Sequence, residues 1–515
     1  MGEGRRSFDE SVKPTSTLSQ RPFRRSFFGL CSVELFERLA YVAVRSVVPL
    51  YIMQVTEEPG GLHLTASDRG TIFACWFLFQ SLLPLVTGGF ADRYGYRKTI
   101  ALSVACIASG YILMAFMRDF WTFLGAVIVL ASGTAFFKPA LQGAIAQLLD
   151  KANASLGWGI FYWVVNVGAL FGPPVATIVL GDVHTAESWR NLFLVSAGIS
   201  LLNLTLLFVA NNVPTHAQLW ERPVDVLRRT LRDLRDPRLF SFLLILSGFW
   251  LMMYQLWDQH PVFIRDWVDS SMIANELKGL STQLHDAVSE RGGEAIQPQM
   301  LIWLNSLLVV LFVIPLSWLV RRMRTLRAML IGMILTMAGL AVTGLTANGW
   351  IFMLGIAVFT AGEMLCAPKQ NEYLGLIAPA GKKAQFLGYA NIPVGIGGAI
   401  GAKLTGYLYG HYGEKATLAL RYLAERTEFG AAKHWDGKIA SLEATLDIDR
   451  SGAVDMLQDV LGIEPAAATK LLWETYHPQY HFWIPILAIG LVSILWFAVY
   501  SHRAESWSDM SDMNV

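Results

Sequence analysis

The stretch VELFERLAYVAVRSVVPLYI, residues 33–52, reads as a membrane-crossing helix, yet it holds Glu34, Glu37, Arg38 and Arg45. At 100° per residue, Glu34, Arg38, Tyr41 and Arg45 fall within an arc of about 60°, with Glu37 at its edge. An ionised side chain at the bilayer centre costs about 2.5–3.5 kcal/mol, so four of them turned to lipid would block insertion. The stripe must face protein or water. Glu34 and Arg38, spaced i, i+4, can pair and merely lock helices together. Arg45 has no acid on its own helix, and a polar intramembrane cluster marks a functional site by default.

The setting of that helix follows from the rest of the chain. Of 515 residues, 54% are hydrophobic and 16% charged, against about 25% charged in soluble domains, which makes this a membrane protein. A net charge of +1 supplies no basic excess for a polyanion, so no nucleic-acid partner is expected. Cys31, Cys75, Cys106 and Cys366 lie in apolar segments and imply no disulfide framework. Residues 1–26 form a polar tail, and the apolar run behind it is too long for a signal-peptide core, so the first span is expected to be uncleaved.

Apolar runs long enough to cross about 30 Å of hydrocarbon occur near 27–54, 70–91, 99–117, 121–148, 156–181, 190–212, 239–264, 299–320, 328–347, 350–378, 385–411 and 481–501. This predicts an all-α membrane protein with twelve spans in two six-helix halves, 27–212 and 239–501. A linker over 213–238 joins them, and a short tail follows from 502 to 515. An even number of spans puts both termini on one side. Arg93, Arg97 and Lys98, the arginines of 213–238, Arg321, Arg322, Arg324 and Arg327, and Lys382 and Lys383 all fall in loops on that side, which the positive-inside rule makes cytoplasmic. The expected location is the cell (inner) membrane, multi-pass. Two polar insertions, 265–298 and 412–480, fall outside, and a 6+6 arrangement is what two fused transporter repeats give.

Other intramembrane charges sharpen the site. Lys138 lies deep in the fourth span, Asp258 in the seventh and Glu363 in the tenth. The first half then carries Glu34, Glu37, Arg38, Arg45 and Lys138, and the second an acidic side, a bipolar cavity suited to a zwitterion. Lys369 and Glu372, i, i+3, read as a local pair. Lys403 either snorkels or lines a gate.

Between the second and third spans stands GGFADRYGYRK, residues 88–98. It matches in full the loop signature of the major facilitator superfamily at Gly88, Asp92, Arg93, Gly95, Arg97 and Lys98. Gly95 permits a tight turn, and Asp92 can meet basic groups across the interface between the halves as they rock. Within that superfamily the chain resembles the proton-dependent oligopeptide transporters. Glu34, Glu37, Arg38 and Tyr41 match that family's Glu-x-x-Glu-Arg-Phe-x-Tyr-Tyr signature, and Arg45 a further family arginine. Lys138-Pro139, the segment with Phe161, Tyr162, Asn166 and Gly168, the eighth span with Asn305 and Pro315, and Glu363 through Pro379 complete the likeness over spans one to eleven.

The resemblance implies proton-coupled symport of di- and tripeptides by alternating access, with no cofactor beyond the proton gradient; a monomer is the expectation, though the sequence does not fix the oligomeric state. It assigns Glu34, Glu37, Arg38 and Lys138 to proton coupling. Arg45 and Lys138 would face the peptide carboxylate, Glu363 the amino terminus, and Asn166 and Asn305 the peptide backbone, with Tyr41 in the same site. Read without the family, the two asparagines are equally helix–helix glue. Three positions depart from the pattern: Val42 replaces a tyrosine, Tyr254 stands where the seventh span usually has glutamate, and Lys369 follows Pro368 in place of glycine. Asp258, one turn beyond Tyr254, is expected to supply the missing acid, unless the span ends at His260-Pro261 and leaves it in outer water.

Rival classes follow from the same residues. A proton-coupled importer or exporter of a non-peptide metabolite or drug would use the same groups. An enzyme or sensor is disfavoured, because no metal-ligand motif or nucleophile–base arrangement occurs in the spans and His260 reads as a satisfied helix-end residue. DIDRSGAVDMLQ, residues 447–458, imitates a calcium loop but ends in Gln458 where a bidentate glutamate should close it. Capped helical turns are expected there and no metal.

Overall fold

A computed structural model describes residues 25–504 apart from 55–59, 150–153, 182–183, 210–222, 291, 321 and 380–382. The described chain is helical throughout, with only isolated bridges such as that between Ser289 and Ile296. The first span is Arg25–Arg45 continued by Val48–Met53, and the second Ala66–Leu82 continued by Pro84–Tyr94. Tyr96–Phe116, Phe120–Leu148, Ala154–Leu180 and Ala186–Val209 complete the first half. The seventh span comes in three pieces, Pro237–Met253, Gln255–Asp258 and His260–Trp267. Pro298–Leu319, Thr325–Leu345, Gly349–Ile377, Lys383–Gly388 with Asn391–Tyr412, and Pro478–Ala504 follow. Ten of these twelve elements have the length and apolarity to cross a membrane on their own. The first falls short through its charged stripe. The eleventh falls short because glycines and Lys403 dilute its hydropathy.

Breaks in the spans have local causes. Pro84 cannot donate to the helix before it and starts a new one, and Thr87 Oγ1 there donates to Ala135 O of the fourth span at 3.0 Å. Pro49 and Pro261 likewise stand in the first turn of Val48–Met53 and His260–Trp267. Gly95 joins the second and third spans at φ +93°, a conformation that a side chain disfavours, so the glycine of the signature loop has a physical requirement. The seventh span therefore does not end at His260-Pro261: it runs on to Trp267, and Asp258 lies inside it.

Within the first half, the first helix packs on the fifth and sixth and the third on the fourth. Within the second, the tenth packs on the ninth and the seventh on the eleventh and twelfth. The halves meet along the second and eleventh spans and along the fifth and eighth. Small residues allow the first of these approaches: a Cβ on Gly70 would lie 2.5 Å from Ala402 O, and one on Gly406 2.5 Å from Ala66 O. These contacts gather at the distal end, away from the chain termini. At the other end the linker helix Pro223–Asp233 lies on Pro84–Tyr94, and Asp233 accepts from Gln385 (3.0 Å) and Tyr389 (2.9 Å).

The 412–480 insertion is a helical subdomain built round Leu418, Leu423, Leu446, Leu457 and Leu472. Its calcium-like stretch consists of helical turns: Asp447 closes Leu442–Leu446 in the left-handed conformation and Asp455 sits in the first turn of Ala453–Leu461. Buried Arg450 reaches Glu414 at 3.3 Å and, across the halves, the carbonyl of His63 at 3.3 Å.

Candidate functional site

The charged stripe of the first span turns inward, as its spacing predicts. Glu34 and Glu37 are buried, and one guanidinium serves both: Arg38 Nε lies 2.8 Å from Glu37 Oε2 and 3.3 Å from Glu34 Oε1. Lys138 lies within electrostatic reach of all three but makes no direct hydrogen bond or ion pair with any described residue. The expected glutamate–lysine pair is therefore not made in this conformation. Arg38 holds both acids, because it stands one turn from Glu34 and next to Glu37 on the same helix. Tyr41 Oη donates to Gln80 Oε1 at 3.2 Å, and Trp76 Nε1 donates to the same oxygen at 2.8 Å.

Arg45 and Asp258 form a buried ion pair between the halves. Arg45 thus finds across the molecule the acid its own helix lacks, and Asp258 is buried at 2% exposed. In this conformation Arg45 is not open to a substrate carboxylate. Its guanidinium also lies over Phe73, 4.2 Å from the ring centroid. Arg69 reinforces the contact: 1% exposed, it donates through Nη1 to Asp258 O at 3.0 Å and through Nη2 to Gln259 Oε1. Arg69 escapes the sequence reading because the apolar run begins at Gly70, which leaves the arginine to the preceding loop. A charged residue in a capping box, Thr65 with Asp68, was the signal that the helix starts earlier. Lys403 Nζ, 2.6 Å from Thr71 Oγ1, adds a further contact across the halves.

On the opposite wall Glu363 accepts from Asn305 Nδ2 at 2.8 Å, and the same amide reaches Thr360 Oγ1 at 3.0 Å. Asn305 therefore positions the acid. Asn166 is half-buried and donates to Tyr162 O on its own helix at 2.8 Å, so its amide is spent locally in this state. Glu363 lies within electrostatic reach of Tyr162 from the first half and Tyr254 from the second, which brings the two walls to one space. Lys369 pairs with Glu372 at 2.7 Å, and His260 is buried with Nδ1 donating to Gln255 O at 3.0 Å; both are as the sequence implies.

The signature loop lies at the end bearing the linker. Gly88 and Asp92 fall within Pro84–Tyr94; the Asp92 side chain lies outside the described residues, so its expected contact across the halves does too. Arg93 is exposed and lies over the Tyr94 ring at 4.8 Å, while Arg97 stands in the first turn of the third span.

Comparison with known proteins agrees with this architecture. Multidrug resistance protein MdtH of Yersinia enterocolitica is 21% identical over 338 residues, 64% of this chain and 75% of that protein. The crystal structure of a POT family transporter in complex with 5-aminolevulinic acid shares the fold at TM-score 0.60 and 16% identity, covering 88% of this chain and 98% of that one. So does a bacterial homologue of the human lysosomal transporter Spinster in an inward-facing and occupied conformation, at TM-score 0.65 and 14% identity, covering 95% and 100%. The Major Facilitator Superfamily profile matches residues 30–402, well over half the chain. With two six-helix halves joined at one end by a buried ion pair, the chain belongs to the Major Facilitator Superfamily and is a secondary transporter, not an enzyme.

Proposed function

We propose that this protein is a proton-coupled transporter of small solutes that present an amine to Glu363, and that its cargo is a non-peptide metabolite or drug. The observation that carries the reading is the division of charges. Arg45, the cation best placed for a free carboxylate, is closed on Asp258. Glu363 meanwhile is held by the neutral amide of Asn305 and makes no ion pair among the described residues. The amine would meet a wall of aromatic rings, with Tyr254 where a peptide carrier has an acid and Val42 where it has a hydroxyl. Likeness to MdtH, named for multidrug resistance, supports the same side. Glu34, Glu37, Arg38 and Asp258 then supply protonatable and ion-paired groups whose rearrangement accompanies the rocking of the halves.

Uptake of di- and tripeptides is the second reading. It is favoured by the first-span signature with Lys138 and Asn305, and by the structural likeness to POT transporters. On that reading the Arg45–Asp258 pair opens during the cycle and hands Arg45 to the peptide carboxylate. With the termini cytoplasmic, the distal closure faces outside and the site opens inward.

Proteoliposomes with an imposed pH gradient separate the two. A fluorescent lipophilic amine and a labelled dipeptide are offered in turn, with the gradient in each direction. Movement of the amine that unlabelled dipeptides fail to inhibit supports the first reading. Accumulation of the dipeptide with the proton gradient replaces it with the second.

A further inference from the structure

Tyr254 occupies the joint between the cavity and the distal closure. The seventh span is interrupted there, with φ −66° and ψ −11°, and its carbonyl accepts the N–H of Asp258 at 3.0 Å. The turn that carries the lock carboxylate thus hangs from Tyr254. Its ring meets Phe77 of the second span at 4.6 Å between centroids. Phe77 in turn lies under the guanidinium of Arg45, 5.6 Å from its Cζ. Both members of the Arg45–Asp258 pair are therefore linked to this one residue, Asp258 through its main-chain carbonyl and Arg45 through its ring by way of Phe77. On the cavity side Tyr254 is half-buried, its hydroxyl makes no hydrogen bond with a described residue, and it lies within electrostatic reach of Tyr41 and Glu363.

Resting on the transport reading above, we propose that Tyr254 is the positioning residue through which cargo in the cavity reaches the lock. Its open hydroxyl donates to an acceptor on the cargo. Its ring, wedged against Phe77, holds Arg45 and Asp258 in register while the cavity is empty. Cargo with a flat face and a hydrogen-bond acceptor turned to the distal end is the class that fits. An unused hydroxyl in a low-dielectric site rewards an acceptor and penalises its absence. A ring packed between two halves is where a coupling element would have to rearrange as they rock.

Two substitutions separate hydroxyl from ring. Tyr254→Phe keeps the wedge, so the expected result is a rise of about tenfold in KM with little change in maximal rate, selective for cargo bearing the acceptor. Tyr254→Ala removes the wedge, and the expected result is a distal end that opens without cargo. Nitroxide labels at Trp121→Cys and Leu280→Cys, with Cys31, Cys75, Cys106 and Cys366 replaced by alanine, read this as a longer distance population in the empty carrier. Both label positions are exposed, on opposite halves at the distal end. Unchanged distances in Tyr254→Ala, with the protein folded as judged by thermal unfolding in detergent, overturn the wedge. Equal kinetics of Tyr254→Phe on cargo with and without the acceptor overturn the contact. The distance measurement needs no cargo: if the parent protein transports none of the compounds offered, the function reading fails while the wedge is still tested.

Discussion

Arg45 of the first span and Asp258 of the seventh, 213 positions apart, pair in a buried contact that joins the two halves at the distal end. Removing one member of such a pair leaves an uncompensated buried charge, a loss of about 3–5 kcal/mol. Asp258→Asn is therefore expected to populate the distal-open state and to abolish proton-driven accumulation while exchange of cargo continues. Arg45→Asp with Asp258→Arg restores the pair in reverse and should recover part of the closure. Distal-end distances by spin labelling check the first effect, and counterflow in proteoliposomes the second. Normal accumulation by Asp258→Asn would remove this pair from the coupling scheme.

Arg38 sits between Glu34 and Glu37 while Lys138 makes no direct hydrogen bond or ion pair among the described residues. With both glutamates ionised, their two negative charges exceed the arginine's one and draw on Lys138, and protonation of one leaves Arg38 matched to the other and relaxes that pull. Glu37→Gln and Lys138→Ala are each expected to lower accumulation at least tenfold, with counterflow partly kept. Transport measured with and without the pH gradient decides it. If both variants accumulate cargo as the parent does, coupling runs elsewhere.

How much of this was legible in the chain depends on the range of each contact. The Glu34–Arg38 spacing states its own pairing, and Gly95 its own turn, because both are local. The Arg45–Asp258 pair is not local: the sequence shows a cation without an acid on its helix but cannot say which distant acid answers it. Asp258 reads as an intramembrane acid of the seventh span, but His260-Pro261 leaves open a span that stops there, because proline in a first turn begins a helix as readily as it ends one. Arg69 was lost to the boundary of an apolar run. Lys138 and Glu37 are correct as members of one cluster, but which cation holds the acid is set by a competition among three side chains that spacing alone does not rank.

Asn305 donates to Glu363 at 2.8 Å, which fixes the carboxylate within electrostatic reach of Tyr162 and Tyr254. Glu363→Ala is expected to raise the KM for amine cargo by about tenfold or more, and to leave N-acetylated analogues nearly unchanged, since a lost charge cannot discriminate. Asn305→Ala should show the same selectivity, weaker by several fold. Competition assays with paired free and acetylated compounds measure both. Equal losses for the two forms would take Glu363 out of the amine site.

The closure also rests on Gly70 and Gly406, where the second and eleventh spans touch backbone to backbone. A methyl at Gly70 would stand 2.5 Å from Ala402 O, which is main chain and cannot turn aside. The spans must separate, at a cost of about 1–3 kcal/mol for overpacking, which shifts the equilibrium between distal-closed and distal-open states roughly 5- to 150-fold. The contact exists only in the closed state, so the fold as a whole is expected to survive while the cycle stalls. Gly70→Ala should retain thermal stability in detergent within a few degrees, lose most of its transport rate, and show longer distal distances. Gly406→Ala should behave alike, because a Cβ there meets Ala66 O at 2.5 Å. The control is Gly125, where a Cβ meets nothing within 4 Å: Gly125→Ala should transport normally. A Gly70→Ala protein that closes and transports like the parent would show that the interface between these two spans does not set the distal gate.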